Sequence, residues 1–280
     1  MTQVFGLFAG CGELPRKIMD HCHAQGQPLF LIAFDGQTDP ELANLENKQG
    51  HIWTHFGAVG NILCYLKANN VTHIVMAGTM RRPSWSEIKL DGKGTRWLAK
   101  LSLAKMGLTA GGDDGLLSGL VSLLKEEGFD VISPADILED LRAPEGVMGL
   151  HHPEEADWQD ILRGREVVRL LGESDVGQAV VVQEGLVLGV EAIEGTEGLL
   201  ARCGSLRRKG RGGVLVKMAK PHQSQAVDLP TIGVATVHQA KAAGLRGIAV
   251  EARSTQILDQ KAVVQAADEV GLYLVGLLPS

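Results

Sequence analysis

The sequence predicts an α/β protein of two domains, an N-terminal Rossmann-like parallel sheet and a C-terminal α/β domain joined to it by a linker. Three observations carry this. Over residues 1–133, short apolar runs bounded by Gly or Pro alternate with stretches of helical periodicity, the pattern of parallel strands covered on both faces. Between Pro134 and Pro153 that pattern dissolves into Pro144, Gly146, Gly149, His151, His152 and Pro153, a linker composition. From residue 154 to 280 the alternation restarts. A length of 280 residues suits about two domains.

The first strand is Val4 to Ala9, closed by Gly10-Cys11-Gly12, and a helix from about Leu14 to Gln25 follows. Pro28 to Phe34 is a second buried strand ending at Asp35-Gly36. After a loop around Thr38 to Glu46, Ala58 to Asn69 is helical, with Ile62, Leu63 and Leu66 apolar, and Val71 to Ala77 is a third strand punctuated by Gly78. Trp97 to Leu108 is amphipathic. Its face of Trp97, Leu98, Leu101 and Leu108 suits packing on a sheet, with a membrane interface as the alternative. Gly111 to Gly115 breaks this helix, Asp113 or Asp114 caps the next, and Phe129 to Ser133 is a last strand.

The second domain opens with a helix from about Ala156 to Leu171 and strands Ala179 to Gln183 and Leu186 to Glu191. The turn Glu194-Gly195-Thr196 leads into a helix ending near Arg202. Cys203 to Gly213, CGSLRRKGRGG, is glycine-rich and basic and reads as a mobile loop before the strand Val214 to Val216. Then come strand Ile232 to Ala235, helix Val237 to Ala243, strand Gly247 to Glu251, helix Asp259 to Val270 and strand Leu272 to Leu278.

Composition narrows the function. With 45% hydrophobic and 21% charged residues the chain has the make-up of a soluble globular protein. A net charge of −6 speaks against nucleic acid as a partner, because phosphate backbones demand a basic field. No basic n-region precedes an apolar core near Met1 and no apolar run reaches membrane-span length. The four cysteines form no CxxC pair, so a reducing cytoplasm is expected. His21-Cys22-His23 has no second ligand pair at zinc spacing and reads as structural.

The segment Lys217 to Gly233, KMAKPHQSQAVDLPTIG, carries the most chemistry. Lys217, Lys220, Gln223 and one acid, Asp228, lie in a stretch that Pro221 and Pro230 prevent from continuing as helix. Cations beside a carboxylate suit a phosphorylated substrate: lysines neutralise phosphate oxygens while the acid holds a metal or activates water. Gly10 and Gly12 after the first strand, with Asp35 after the second, invite a dinucleotide reading. Pro15 stands at the third fingerprint position, removing an amide, so a tight turn touching substrate is favoured over NAD. Gly78 and Arg81 to Arg82 lie on the loop after the third strand, where ligands of such sheets bind.

Several segments in order resemble the LpxI-type UDP-2,3-diacylglucosamine pyrophosphatases: GLFAGCGELP near the start, AGTMRRP at Ala77 to Pro83, GGDDGLL at Gly111 to Leu117, Asp175-Val176-Gly177-Gln178, EAIEGTEGLLAR from Glu191 to Arg202, and the lysine–proline–aspartate segment. The resemblance implies a Gram-negative enzyme of lipid A biosynthesis, cytoplasmic and at the inner membrane face. Such an enzyme cleaves UDP-2,3-diacylglucosamine to UMP and 2,3-diacylglucosamine 1-phosphate with a divalent cation, typically Mg2+. The implied partner is the acylated sugar nucleotide; a diacylated substrate leaves a peripheral contact with the inner membrane open, and oligomeric state is open as well, a homodimer being unsurprising for a small α/β enzyme.

On that resemblance Asp228 is the catalytic carboxylate; the residues themselves suggest Glu194, and as a further candidate Glu191, beside it around the metal, with solvated strand-end acids as the alternative. Gly10, Gly12, Gly78, Arg81, Gln178, Thr196, Arg202, Lys217, Lys220 and Gln223 are the expected substrate contacts, with Thr196 either capping its helix or adding its amide to a phosphate cradle. Ala226 and Ser224 stand where the family usually has an arginine and an acid, and Glu197 replaces its usual aspartate. Two rival readings are an NAD-type oxidoreductase and a non-catalytic lipid or sugar-nucleotide binder.

Overall fold

A computed structural model describes residues 3–81, 88–107, 113–220 and 229–279, without the side chains of 102–107 and 113–116. It divides into two compact units between Leu138 and Glu139. In the first unit the apolar runs become strands β1 (Phe5–Ala9), β2 (Leu29–Phe34), β3 (Gly50–Thr54), β4 (His73–Ala77) and β5 (Asp130–Ile132). They form one sheet in the order β3-β2-β1-β4-β5, parallel throughout. The chain therefore reverses its direction of winding between β1 and β4, the topological switch point of a doubly wound sheet. The helices are α1 (Glu13–Ala24), α2 (Pro40–Asn44), α3 (Val59–Ala68), α4 (Gly92–Gly107), α5 (Asp113–Glu126) and α6 (Pro134–Ile137).

Side chains alternate across the sheet with the period of two that a strand imposes. Phe8, Ile32, Phe34 and Ile74 pack with Ile62, Leu66, Trp97 and Leu124 in one cluster, while Leu7, Leu31 and Val75 are fully buried on the other side. Trp97 is only 7% exposed, and Leu101 packs against the same cluster. That corrects the membrane-interface alternative for this helix: its apolar face covers the sheet, because a bare face of a parallel sheet leaves its apolar row in water. Leu108 lies outside the described residues. Cys22 is buried, and burial pushes its thiol up to about 11, so it behaves as a small apolar side chain.

β3 and α2 lie in or beside the expected loop after Asp35. β3 is an edge strand of mixed burial, held by its pairing to β2, and has no apolar run to announce it. The expected linker, 134–153, holds the division point, but much of it is built into the units. α6 begins with a capping box at Ser133, and β6 (Gly146–Met148) pairs antiparallel with the last strand of the second unit. Elements of three or four residues leave no periodicity to read.

In the second unit the order continues with α7 (Glu155–Glu173), β7 (Ala179–Gln183), β8 (Leu186–Val190), α8 (Gly195–Leu206), β9 (Val214–Lys217), β10 (Thr231–Ile232), α9 (Val234–Ala242), β11 (Gly247–Glu251), β12 (Gln256–Ile257), α10 (Gln260–Val270) and β13 (Tyr273–Leu277). Six strands form a mixed sheet, β6-β13-β11-β9-β7-β8, and β10 pairs with β12 separately. β9, β11 and β13 are parallel, whereas β7 runs antiparallel to both neighbours. Ala179, Val181 and Leu215 face a core with Leu199, Val237 and Val263 from α8, α9 and α10. Val180, Val182, Val214 and Val216 face Ile161 and Val168 of α7.

The basic loop before β9 was expected to be mobile and is instead pinned. The fully buried Gln183 donates to the carbonyls of Arg208 and Arg211 and accepts from the Arg208 amide at 3.0 Å. Arg211 pairs with Glu154 and Asp157. A buried amide must satisfy both its ends, and this loop is what satisfies them. Among the described residues no helix is long and apolar enough to cross a membrane.

Asp91 ties α3 to α4. Its carboxylate accepts from the Gly60 and Gly94 amides, each at 2.6 Å, serving the first turn of each helix. Burial alone would raise its pKa, but the amides of Gly94, Gly60, Asn61 and Lys93 outweigh that and hold it below the usual aspartate range. The folded pKa is depressed, so the stabilisation is fully present above the unfolded value near pH ~3.9 and is lost as pH falls through the folded pKa. Asp91→Ala is expected to cost about 1 kcal/mol at pH 7. Urea unfolding of the two proteins should show that difference shrink as the pH is taken below ~3.9.

Candidate functional site

At the carboxyl edge of the first sheet, the loops leaving β1 and β4 are bonded to each other. Cys11 N donates to Thr79 O and Thr79 N to Cys11 O, both at 2.9 Å. A Cβ on Gly10 would sit 2.4 Å from the Thr79 carbonyl, and one on Gly78 2.6 Å from that of Cys11. Both glycines are thus required by the crossing of two backbones. Gly12 precedes α1 at φ 102° with no side-chain cap, and a Cβ there would meet nothing within 4 Å.

Two buried polar residues that sequence reading missed, Gln37 and Thr38, complete this edge. Gln37 O accepts from Cys11 Sγ at 2.8 Å and Gln37 Oε1 from the Arg81 amide at 2.7 Å. The Thr38 hydroxyl donates to Ala9 O and accepts from Phe34 N. The structure thus brings Gly10, Gly12, Gly78 and Arg81 to one edge, where the Arg81 side chain is exposed; Arg82 lies outside the described residues.

The second unit assembles a denser cluster where β9 ends, β8 ends and β7 begins. Strand alternation puts Lys217 on the face of Leu215, toward α8. Lys217 is 6% exposed and its Nζ donates to Thr196 Oγ1 at 2.9 Å and to Thr231 O at 3.0 Å. Thr196 Oγ1 in turn donates to Glu191 Oε1 at 2.8 Å. Glu191, also 6% exposed, accepts at Oε2 from Gln178 N at 3.1 Å, and its own amide donates to Ala179 O at 2.8 Å. α8 has no side-chain cap, so the Thr196 hydroxyl serves Glu191 and does not cap the helix.

Beside this chain, Lys220 Nζ meets Asp175 Oδ1 at 2.7 Å, both largely shielded. Arg202 Nη2 meets Glu194 Oε1 at 2.7 Å and also donates to Val190 O. Glu194 is held below the usual carboxylate range, first by its own backbone amide and then by Arg202. Asp175, which takes a left-handed φ of 52°, was legible only as part of a motif, not as the partner of Lys220. Gln178, Thr196, Glu191, Lys217, Lys220, Glu194 and Arg202 thus converge on one sheet edge. Asp228 and Gln223 lie outside the described residues, but Lys220 and Thr231, on either side of 221–228, both belong to the cluster.

The donor set bears on a cation. Among the described residues no three His, Cys, Asp or Glu side chains converge to hold a metal. Glu191 has each oxygen on a protein donor and Glu194 is paired with Arg202. The described residues do not by themselves form a divalent-cation site.

An α/β protein of two units, each with polar chemistry gathered at one sheet edge, is the class that this fold and cluster define. The chain belongs to the LpxI family: a family model described as the LpxI N-terminal domain matches residues 4–141, and one described as the LpxI C-terminal domain matches residues 144–275. It is similar along its length to the UDP-2,3-diacylglucosamine pyrophosphatase LpxI of Caulobacter vibrioides, with 37% identity over 280 residues, 98% of this chain and 97% of that protein.

Gly177 sets the approach of the 175–178 turn to β8, since a Cβ there would lie 2.1 Å from Glu191 O. Gly177→Ala is expected to destabilise the second unit by about 1–3 kcal/mol, the range for forcing an extra carbon into a packed site. A fall in its thermal unfolding midpoint checks this.

Proposed function

We propose that this chain hydrolyses the pyrophosphate bond of UDP-2,3-diacylglucosamine, releasing UMP and 2,3-diacylglucosamine 1-phosphate. The observation that carries the reading is the convergence of Lys217, Lys220 and Arg202 on one edge in a chain aligned end to end with a pyrophosphatase of that substrate. A diphosphate ester entering there meets three cations. Its oxygens compete with Asp175 for Lys220 and with Glu194 for Arg202, while Lys217 is already held by Thr196 and Thr231. Positioned cations stabilise the charge that develops on the phosphoryl and leaving oxygens as the anhydride breaks.

In this proposal water attacks the phosphorus nearer the sugar, the anhydride bond to UMP breaks, and Asp228 takes the water's proton. A divalent cation, Mg2+ in the first instance, would add Lewis-acid stabilisation when bound, with Asp228 and the exposed Glu194 as its carboxylates. Ile193, fully exposed, and Val176 supply apolar surface within two residues of Glu191 and Gly177, which supports contact with acyl chains and a peripheral membrane encounter. A homodimer belongs to the same proposal; light scattering and vesicle co-sedimentation test these two partners.

UMP release from the acylated sugar nucleotide, assayed with Mg2+ and with chelator, is expected to be cation-dependent. Asp228→Ala should lower kcat by about 10²-fold or more. Turnover by that variant at the parental rate would remove the assignment of Asp228. Tight binding of substrate by the parental protein with no UMP released would leave a binding protein in place of an enzyme.

A further inference from the structure

Glu191 and Lys217 are a buried anion and a buried cation, each 6% exposed, and a hydroxyl joins them. An ionised carboxylate only accepts hydrogen bonds and an ammonium only donates them. Thr196 has one proton. With that proton directed to Glu191 Oε1, its lone pairs are left to face Lys217 Nζ, and both contacts are short, 2.8 and 2.9 Å. The carboxylate therefore determines which way the hydroxyl points, and the hydroxyl helps determine where the ammonium sits. The other ends are anchored as well: Gln178 N meets Glu191 Oε2, and Thr231 O accepts from Lys217.

Glu191 has little freedom to do anything else. Its backbone is bonded to β7 through Ala179 O, and the 175–178 turn presses on its carbonyl at Gly177. Turning either oxygen toward a cation would strand the Gln178 amide or the Thr196 hydroxyl in a shielded site, and an unmet buried donor is costly. Hard divalent cations also prefer several oxygen ligands with retained waters, which a carboxylate already engaged by two protein donors at 6% exposure is ill placed to provide.

We infer that Glu191 is a positioning residue that aims Lys217 through the Thr196 hydroxyl, and that it is not a ligand of the catalytic cation. The inference rests on the reading of this edge as the pyrophosphate site, and it assigns each of the three residues a separate part. Lys217 meets the phosphate, Thr196 transmits, and Glu191 orients.

A double-mutant cycle tests it. Glu191→Gln and Thr196→Val are each expected to lower kcat by about 10–100-fold, the usual effect of losing an outer-shell partner. The double variant should be no worse than the poorer single, because both remove one linkage. Thr196→Ser should retain activity, and the Mg2+ concentration for half-maximal rate should be unchanged in every variant. A tenfold higher Mg2+ requirement in Glu191→Gln alone, or multiplied losses in the double variant, would overturn the inference.

A second readout needs no turnover. In protein labelled with 15N-lysine, the Lys217 ammonium resonance is assigned by its loss in Lys217→Arg. Hydrogen bonding should protect it in the parental protein and in Thr196→Ser. Both Glu191→Gln and Thr196→Val should exchange it faster with water, the Thr231 carbonyl being the one of these two acceptors still fixed toward it. An unchanged exchange rate in those two variants would sink the linkage whatever the activity. If the parental protein released no UMP while the resonance behaved as stated, the proposed reaction would fall and the positioning role would stand.

Discussion

An ammonium and a carboxylate can be shielded from water at a sheet edge only if almost every donor and acceptor around them is met, and the second unit is arranged about that constraint. Lys217, Thr196 and Glu191 come from the end of β9, the first turn of α8 and the end of β8. They reach one another because β7 runs antiparallel to both β8 and β9, so that its beginning lies beside their ends. A wholly parallel sheet would have placed the end of β8 beside the end of β7, and Gln178 could not have capped Glu191. The mixed topology is thus a condition of the cluster.

The first unit meets a different demand at the corresponding edge of its sheet. Its loops are stitched by backbone and by the buried polar side chains of Gln37 and Thr38, leaving few ionisable groups among the bonded atoms. Gly10 and Gly78 are explained by the crossing of two loops of the same chain and need no phosphate to account for them. A pocket of about 270 Å³ in this unit lies at the opposite edge, lined by Phe5, His21, Gln27 and His73 among others. Among the described residues charge is gathered in the second unit, where Lys217, Lys220 and Arg202 stand against Glu191, Asp175 and Glu194.

Much of the fold was legible in the residues because long periodic segments speak for themselves. The strands over Ala179–Gln183 and Gly247–Glu251 follow from runs of Val, Ile and Ala set between turns, and the helices α7 and α9 before them from their spaced apolar residues. What escaped was short or polar. β3 is visible only through its pairing with β2, α6 through its cap at Ser133, and β12 through its pairing with β10. The CGSLRRKGRGG loop looked mobile because nothing local restrains it. Its restraint is Gln183, more than twenty residues earlier in the chain.

By itself the sequence determined the α/β class, the division into two domains and the likeness to a family, and it named most of the charged residues that the second unit brings together. Each of these depends on local periodicity or on residue order, which a chain carries before it folds. Only the tertiary structure decided that Lys217 meets Thr196, that Thr196 meets Glu191, and that Lys220 meets Asp175, because those pairs are separated by 21, 5 and 45 positions. Hydrogen bonds of 2.7 to 2.9 Å between such residues are set by strand direction and register, and register is a property of the assembled sheet.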